Sequence, residues 1–166
     1  MEYINTYSSP LGEMKMSSDG VALTGLWFDG QKYFDEIVEE QKEKKDFPVF
    51  VQTRQWLDIY FQGKRPDFTP LLSYQATPFR QKVWEFLMEI PYGETMTYGE
   101  IASLVAKEMG ISKMSAQAVG GAVGHNVISI IIPCHRVIGK DGSLTGYAGG
   151  IEKKKALLKL EKGVLD

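Results

Sequence analysis

The first 76 residues alternate short apolar and polar runs with turn residues, the pattern of an antiparallel meander. Residues 2–8 place Tyr and Ile at strand spacing, and Ser9-Pro10-Leu11-Gly12 reads as a turn. Residues 13–17 read as a second strand, Asp19-Gly20 as a tight turn and residues 21–28 as a third strand, closed by Asp29-Gly30. The period then lengthens. Residues 31–46 are charged and read as helical, and residues 48–62 set Phe50, Trp56, Leu57, Tyr60 and Phe61 along one helical stripe. Gly63-Lys64-Arg65-Pro66 breaks that helix. The following stretch to residue 76, with Pro66 and Pro70 and no period, predicts a connection between two domains, residues 1–76 and 77–166.

From residue 77 the helical signals sharpen. Thr77-Pro78 is a helix start, with a side-chain oxygen at the cap and Pro in the first turn. Phe79, Val83, Phe86, Leu87 and Ile90 mark one face, and Ile90-Pro91-Tyr92-Gly93 ends the helix. Thr97-Tyr98-Gly99-Glu100 has capping-box spacing ahead of Ile101, Leu104 and Val105, and this helix stops near Gly110. A short helix over 114–124 completes a helix-turn-helix. The β-branched run Ile128-Ser129-Ile130-Ile131-Ile132 predicts a buried strand, ended by Pro133. Val137-Ile138 and Leu144 flank Gly139-Lys140-Asp141-Gly142, which reads as a hairpin and, behind a helix-turn-helix, as a wing. A last helix over 151–162 buries Ile151, Leu157, Leu158 and Leu160 and is capped by Gly163.

Composition adds limits. With 43% hydrophobic and 24% charged residues the chain is of ordinary globular type. No apolar run reaches the roughly 20 residues that span a bilayer. The start, Met1-Glu2-Tyr3, lacks the basic and apolar regions of a secretory signal, so a cytoplasmic protein is expected. The single cysteine, Cys134, allows no internal disulfide, and with two histidines, His125 and His135, no metal site is expected. The net charge of −2 is unevenly spread: residues 1–76 carry 8 basic and 12 acidic side chains, residues 77–166 carry 11 and 9. A swing of this size is common by chance; read functionally, it would dock a polyanion on the C-terminal half, and the charge count alone leaves both readings open.

The candidate chemistry lies in Ile132-Pro133-Cys134-His135-Arg136-Val137. A thiolate is the reactive form of cysteine, and His135 and Arg136 are the neighbours that could favour it. In an extended segment, Cys134 and His135 would face opposite sides, making a bridging water the natural link. A carboxylate from elsewhere would have to orient the imidazole. On spacing alone, a buried structural cysteine beside a surface histidine is the better account. The helix over 114–124 is nearly stripped of side chains. Its interior glycines cost roughly 1 kcal/mol each relative to alanine, which implies a close approach, either by a packed helix or by a ligand backbone.

Pro133-Cys134-His135-Arg136-Val137 resembles the active-site signature of O6-alkylguanine-DNA alkyltransferases, the methylated-DNA–protein-cysteine methyltransferases. The resemblance runs from about Thr77 to Gly163. It takes in Phe79-Arg80, Val83-Trp84, Ile90-Pro91-Tyr92-Gly93, Thr97-Tyr98, Ala118-Val119-Gly120-Gly121-Ala122, Asn126, Gly146-Tyr147 and Gly149-Gly150. It implies an α+β protein: a small N-terminal antiparallel sheet with helices, RNase H-like, followed by a winged-helix alkyltransferase domain. It also implies a single-turnover repair protein that takes an alkyl group from O6-alkylguanine, with O4-alkylthymine a second candidate lesion, after the base is flipped from the duplex.

By the same resemblance Cys134 is the alkyl acceptor, His135 activates it through a water, Glu161 orients the imidazole and Tyr98 bonds the flipped base. Asn126 is the hinge between recognition helix and reactive loop, Val137, Tyr147 and Ala148 line the pocket, and Arg136 anchors the loop. Ser115, Gln117, Ala118 and Gly121 face double-stranded DNA in the minor groove. No cofactor, no membrane and a monomer are expected.

Two positions depart from the pattern. Gln117 stands where many members carry an arginine that fills the gap left by the flipped base, and Ala148 where some have serine. Two other readings make different demands. A non-enzymatic winged-helix DNA-binding or lesion-recognition protein has no need of Cys134. A cysteine hydrolase or amidotransferase places nucleophile and base on separate segments.

Overall fold

The computed structural model describes residues 2–31, 43–44, 46–144, 147 and 149–163. The chain divides into two compact units, one of residues 1–75 with 127–129 and one of residues 76–126 with 130–166.

In the first unit, β1 (Tyr3–Ser9), β2 (Gly12–Ser18) and β3 (Leu23–Phe28) form the expected antiparallel meander, with Ser9 opposite Gly12 at the first turn. A fourth strand, β4 (Glu43–Lys44), pairs in parallel with Tyr3 and Ile4, giving the order β3-β2-β1-β4. The helix expected over 31–46 is thus corrected at 43–44, where the chain is a strand; residues 32–42 and 45 lie outside the described residues. Met14, Met16 and Ser18 alternate onto the buried face of β2, whereas Leu26, Trp27 and Phe28 of β3 are all buried. Gly25 is required there, because a Cβ would sit 2.6 Å from Ser17 Oγ and 2.9 Å from the Trp27 ring. Helix α1 (Pro48–Phe61) buries Phe50, Trp56, Leu57 and Tyr60. Two extended stretches complete this unit. Leu23 donates its amide to Leu71 and accepts from Ser73, while Leu26 donates to Val127 and accepts from Ser129.

The second unit is helical. Its helices are α2 (Pro78–Met88), α3 (Tyr98–Met109), α4 (Ala116–Gly124) and α5 (Ile151–Lys162). The boundaries follow local chemistry. Thr77 Oγ1 accepts from the Arg80 amide at 3.2 Å, and Ser115 Oγ accepts from the Ala118 amide at 3.0 Å. Thr97 and Glu100 form a reciprocal capping box. Gly110 and Gly163 end α3 and α5 in the left-handed conformation. Val83, Trp84, Leu87, Ile101, Val105, Val119, Val123, Ile132, Val137 and Leu157 make the core. Trp84 Nε1 donates to the Ala122 carbonyl at 2.9 Å, holding α2 to α4.

One expectation fails here. Residues 128–132 are not a strand. Ile128 makes one isolated bridge to Leu26, and Ile130 then turns with φ 70°. The β-branched run reports burial, which all five residues share, and not pairing. The hairpin is seen, among the described residues, only as its turn. Gly139 donates to Ser143 and Gly142 to Gly139, both at 2.9 Å, so the turn forms. Among the described residues the strand partner of β6 (Val137–Ile138) is β5 (Met96–Thr97), in parallel. Turn residues fix a reversal locally, whereas strand partners are set by tertiary packing. Among the described residues no helix is long and apolar enough to cross a membrane.

The capping box is the clearest local stabiliser of α3. Thr97→Ala removes the bond from the Glu100 amide to Thr97 Oγ1 and is expected to cost about 1 kcal/mol, seen as a lower thermal midpoint, with Thr97→Ser close to wild type.

Candidate active site

Cys134, His135 and Arg136 form a single 3-10 turn after Pro133, and all three are buried. The segment is therefore not extended, and the tight turn lets successive side chains all point inward. His135 is fully buried, which removes the account of a surface histidine beside a structural cysteine.

The turn is wired to α5 through one carboxylate. His135 Nε2 lies 2.5 Å from Glu161 Oε2. Arg136 Nε donates to Glu161 Oε1 at 2.8 Å, and its Nη2 donates to Oε2 at 3.2 Å. The amide of Gly93 donates to Oε1 at 3.0 Å. Gly93 has φ 82°, and a Cβ there would come 3.4 Å from the Glu161 carbonyl, so a glycine suits this approach. Arg136 Nη1 donates to the Ile90 carbonyl at 2.8 Å, and its guanidinium lies 5.7 Å from the centre of the Tyr92 ring. The Ile90-Pro91-Tyr92-Gly93 turn is thereby bound to the reactive turn at two points.

The electrostatics follow from burial against these partners. Burial raises the Glu161 carboxyl, but bonds from His135 and Arg136, with their charges, outweigh it and hold the group at about 2. Burial lowers His135 against the pull of Glu161, so the ring is neutral near pH 7. Burial pushes the Cys134 thiol up to about 11, although the Asn126 side chain, the charge of Lys154 and nearby amides draw it down.

Asn126 is buried at the end of α4, and its Nδ2 donates to the Ile132 carbonyl at 2.8 Å. The Cys134 amide donates to the same carbonyl at 2.8 Å. Tyr98, at the start of α3, is half-buried, and its hydroxyl lies 3.5 Å from Lys154 Nζ. Val137 and Tyr147 are buried, and Ala148 lies outside the described residues. Cys134, His135, Arg136, Glu161, Tyr98 and Asn126 thus come together in the second unit, while Ser115, Gln117 and Gly121 are exposed on α4 and Ala118 is half-buried. The glycines of α4 are not demanded by internal packing. A Cβ at Gly121 or Gly124 meets nothing within 4 Å, and one at Gly120 meets Tyr98 at 3.9 Å, an ordinary contact.

Sequence reasoning missed Lys154. Its side chain is wholly buried, its ammonium sits 5.7 Å from the centre of the Tyr98 ring, and it acts electrostatically on Cys134. Lys154 stands within the run Lys153-Lys154-Lys155. Helical phase was the available signal, since Lys154, Leu157, Leu158 and Glu161 share the buried side of α5.

Comparison with known proteins agrees with this architecture. Residues 3–73 match the family model described as 6-O-methylguanine DNA methyltransferase, ribonuclease-like domain, and residues 78–163 match that of the DNA binding domain. The class is thus a ribonuclease-like unit followed by a DNA binding unit. The chain is 42% identical to a methylated-DNA–protein-cysteine methyltransferase of Haemophilus influenzae, over 96% of this chain and 86% of that one. It is 40% identical to the constitutive enzyme of Bacillus subtilis, over 95% and 93%. The crystal structure of Mycobacterium tuberculosis OGT in complex with DNA superposes with a TM-score of 0.85 at 42% identity, covering 97% of this chain and 93% of that one. The chain belongs to the 6-O-methylguanine DNA methyltransferase family.

The Glu161 cluster makes a definite pH prediction. The carboxyl titrates near 4.5 when unfolded and at about 2 when folded. Its contribution is therefore complete above about pH 4.5 and is lost as pH falls towards 2. Glu161→Gln leaves Arg136 without its counter-charge and is expected to cost on the order of 3–5 kcal/mol at pH 7. Urea unfolding should show the variant's stability varying less between pH 5 and pH 2 than that of the wild type. An equally steep acid limb contradicts this.

Proposed function

We propose that this chain repairs duplex DNA by direct reversal, moving the alkyl group of O6-alkylguanine onto Cys134 once and irreversibly. The observation that carries the reading is the buried Cys134-His135-Arg136 turn held on Glu161. In the proposed reaction the thiol proton passes to His135 Nδ1 through a bridging water, since Nε2 is engaged by Glu161. The sulfur then attacks the alkyl carbon, an S–C bond forms, the C–O6 bond breaks and its electron pair goes to the guanine. Tyr98 supplies the proton that neutralises the leaving base, and the buried charge of Lys154 beside its hydroxyl favours that transfer. His135 then returns its proton through water to Tyr98, so both side chains end as they began and, net, the thiol proton ends on guanine. The product is a thioether, so the protein is consumed.

The base reaches the buried sulfur by extrusion, at a cost of a few kcal/mol. Helix α4 is the recognition helix on this reading, laid in the minor groove. The open space over Gly121 and Gly124 supports an external occupant for its bare face. The Mycobacterium tuberculosis relative, of the same fold, holds DNA. Asn126 serves as hinge, Val137, Tyr147 and Ala148 line the base pocket, and Arg136 anchors the turn. Residues 1–76 act as scaffold and residues 77–166 bind DNA and react. The protein acts as a monomer in the cytoplasm, where a lone thiol stays reduced.

The deciding test is mass spectrometry after incubation with a duplex carrying O6-methylguanine. The chain should gain one methyl group mapped to Cys134, and Cys134→Ser should gain none. An unchanged mass with tight binding would instead mark a lesion-recognition protein. A separate expectation concerns Gln117, exposed in the first turn of α4. Gln117→Arg adds a charge to the DNA face and should raise duplex affinity and its salt dependence, read by fluorescence anisotropy. An affinity that stays flat or falls counts against this placement of α4.

A further inference from the structure

Helix α4 has little intrinsic stability. It has 9 residues, and isolated helices shorter than about 12–15 residues are marginal in water. Gly120 and Gly121 stand in its interior and Gly124 is its last residue, and glycine is a poor helix former. It carries no charged side chain, so no ion pair along its length supports it.

Its C-terminal end is closed in an unusual way. Helices α3 and α5 end on glycines in the left-handed conformation, whereas His125 ends α4 with φ −100°. The last carbonyls of a helix lack partners within it and must find them elsewhere. Here two side chains supply donors to two successive carbonyls. His125 Nδ1 donates to the Gly121 carbonyl at 2.7 Å, and Trp84 Nε1, from α2, donates to the Ala122 carbonyl at 2.9 Å. Trp84 is 1% exposed and reaches α4 from the core, while His125 is exposed. Backbone amides add weaker support: His125 donates to Ala122 at 3.3 Å and Asn126 to Val123 at 3.2 Å.

We infer that Trp84 and His125 are positioning residues for α4. Between them they hold its glycine-rich end helical, so that its face can stay bare without the helix being lost. The duplex then meets a preformed helix and does not bear the cost of ordering it. The inference rests on α4 being the recognition helix.

Three variants test it. His125→Ala removes the ring donor, and His125→Asn restores a side-chain donor that can reach back to a carbonyl of the preceding turn. Trp84→Phe keeps an aromatic ring and removes the indole N–H. In the free protein, amide hydrogen exchange within α4 should quicken by about tenfold in His125→Ala and Trp84→Phe, with α3 and α5 little changed, and His125→Asn should exchange like wild type. At a temperature where every variant is folded, affinity for an O6-methylguanine duplex, read by fluorescence anisotropy, should fall about fivefold in the first two and hold in the third. An asparagine variant as weak as the alanine variant marks His125 as a direct DNA contact and overturns its role as a clamp. Exchange that quickens evenly from α2 to α5 means that Trp84 serves the core alone, and it overturns the inference, as does unchanged duplex affinity. If Trp84→Phe does not fold, the two His125 variants decide. A wild-type chain that binds no duplex while the exchange pattern holds refutes the recognition-helix reading and leaves the clamp standing.

Discussion

A single buried carboxylate organises the reactive half of this protein. Glu161 accepts from His135, from two nitrogens of Arg136 and from the amide of Gly93. Burying such a charge costs several kcal/mol and is tolerated only when its lone pairs are well satisfied. The donors come from two segments distant in sequence, the turn after α2 and the turn after Pro133, and the acceptor comes from α5. Satisfying one charge therefore fixes the geometry of all three. Arg136 extends the constraint by donating to Ile90 and lying beside the Tyr92 ring.

That constraint explains how the site combines a protected thiol with a reactive one. Burial drives Cys134 up to about 11, so the resting sulfur is protonated. A neutral imidazole beside it, fixed by an ionised Glu161, can take a proton when the reaction demands it. Asn126 and Lys154 bias the sulfur towards the thiolate without exposing it. For the proposed transfer, alignment is the dominant contribution, and it depends on side chains that cannot move without leaving a charge unpaired.

Much of this arrangement was legible in the sequence, and the pattern of success has a physical basis. Thr77, Thr97, Ser115, Gly110 and Gly163 announce helix ends because capping is chemistry within four residues. The meander was readable from alternation and turn residues. The run at 128–132 misled because β-branched residues fit a buried coil as well as a strand, and no local signal places isoleucine at positive φ. The partner of Val137–Ile138 is 41 residues upstream, at Met96–Thr97, beyond the reach of a turn rule. Lys154 was hidden by its lysine neighbours, although its helical phase with Glu161 betrays it. The placement of Glu161 itself came from family resemblance; spacing required a carboxylate but did not say which.

The claim that most needs testing is that Glu161 makes His135 an effective base for Cys134. Single-turnover methyl transfer from an O6-methylguanine duplex should be compared for wild type and Glu161→Gln, at a temperature where both are folded. The account requires the variant's rate to drop by about a hundredfold or more with duplex affinity unchanged, as expected for loss of an oriented base. Equal rates in two folded proteins would contradict it.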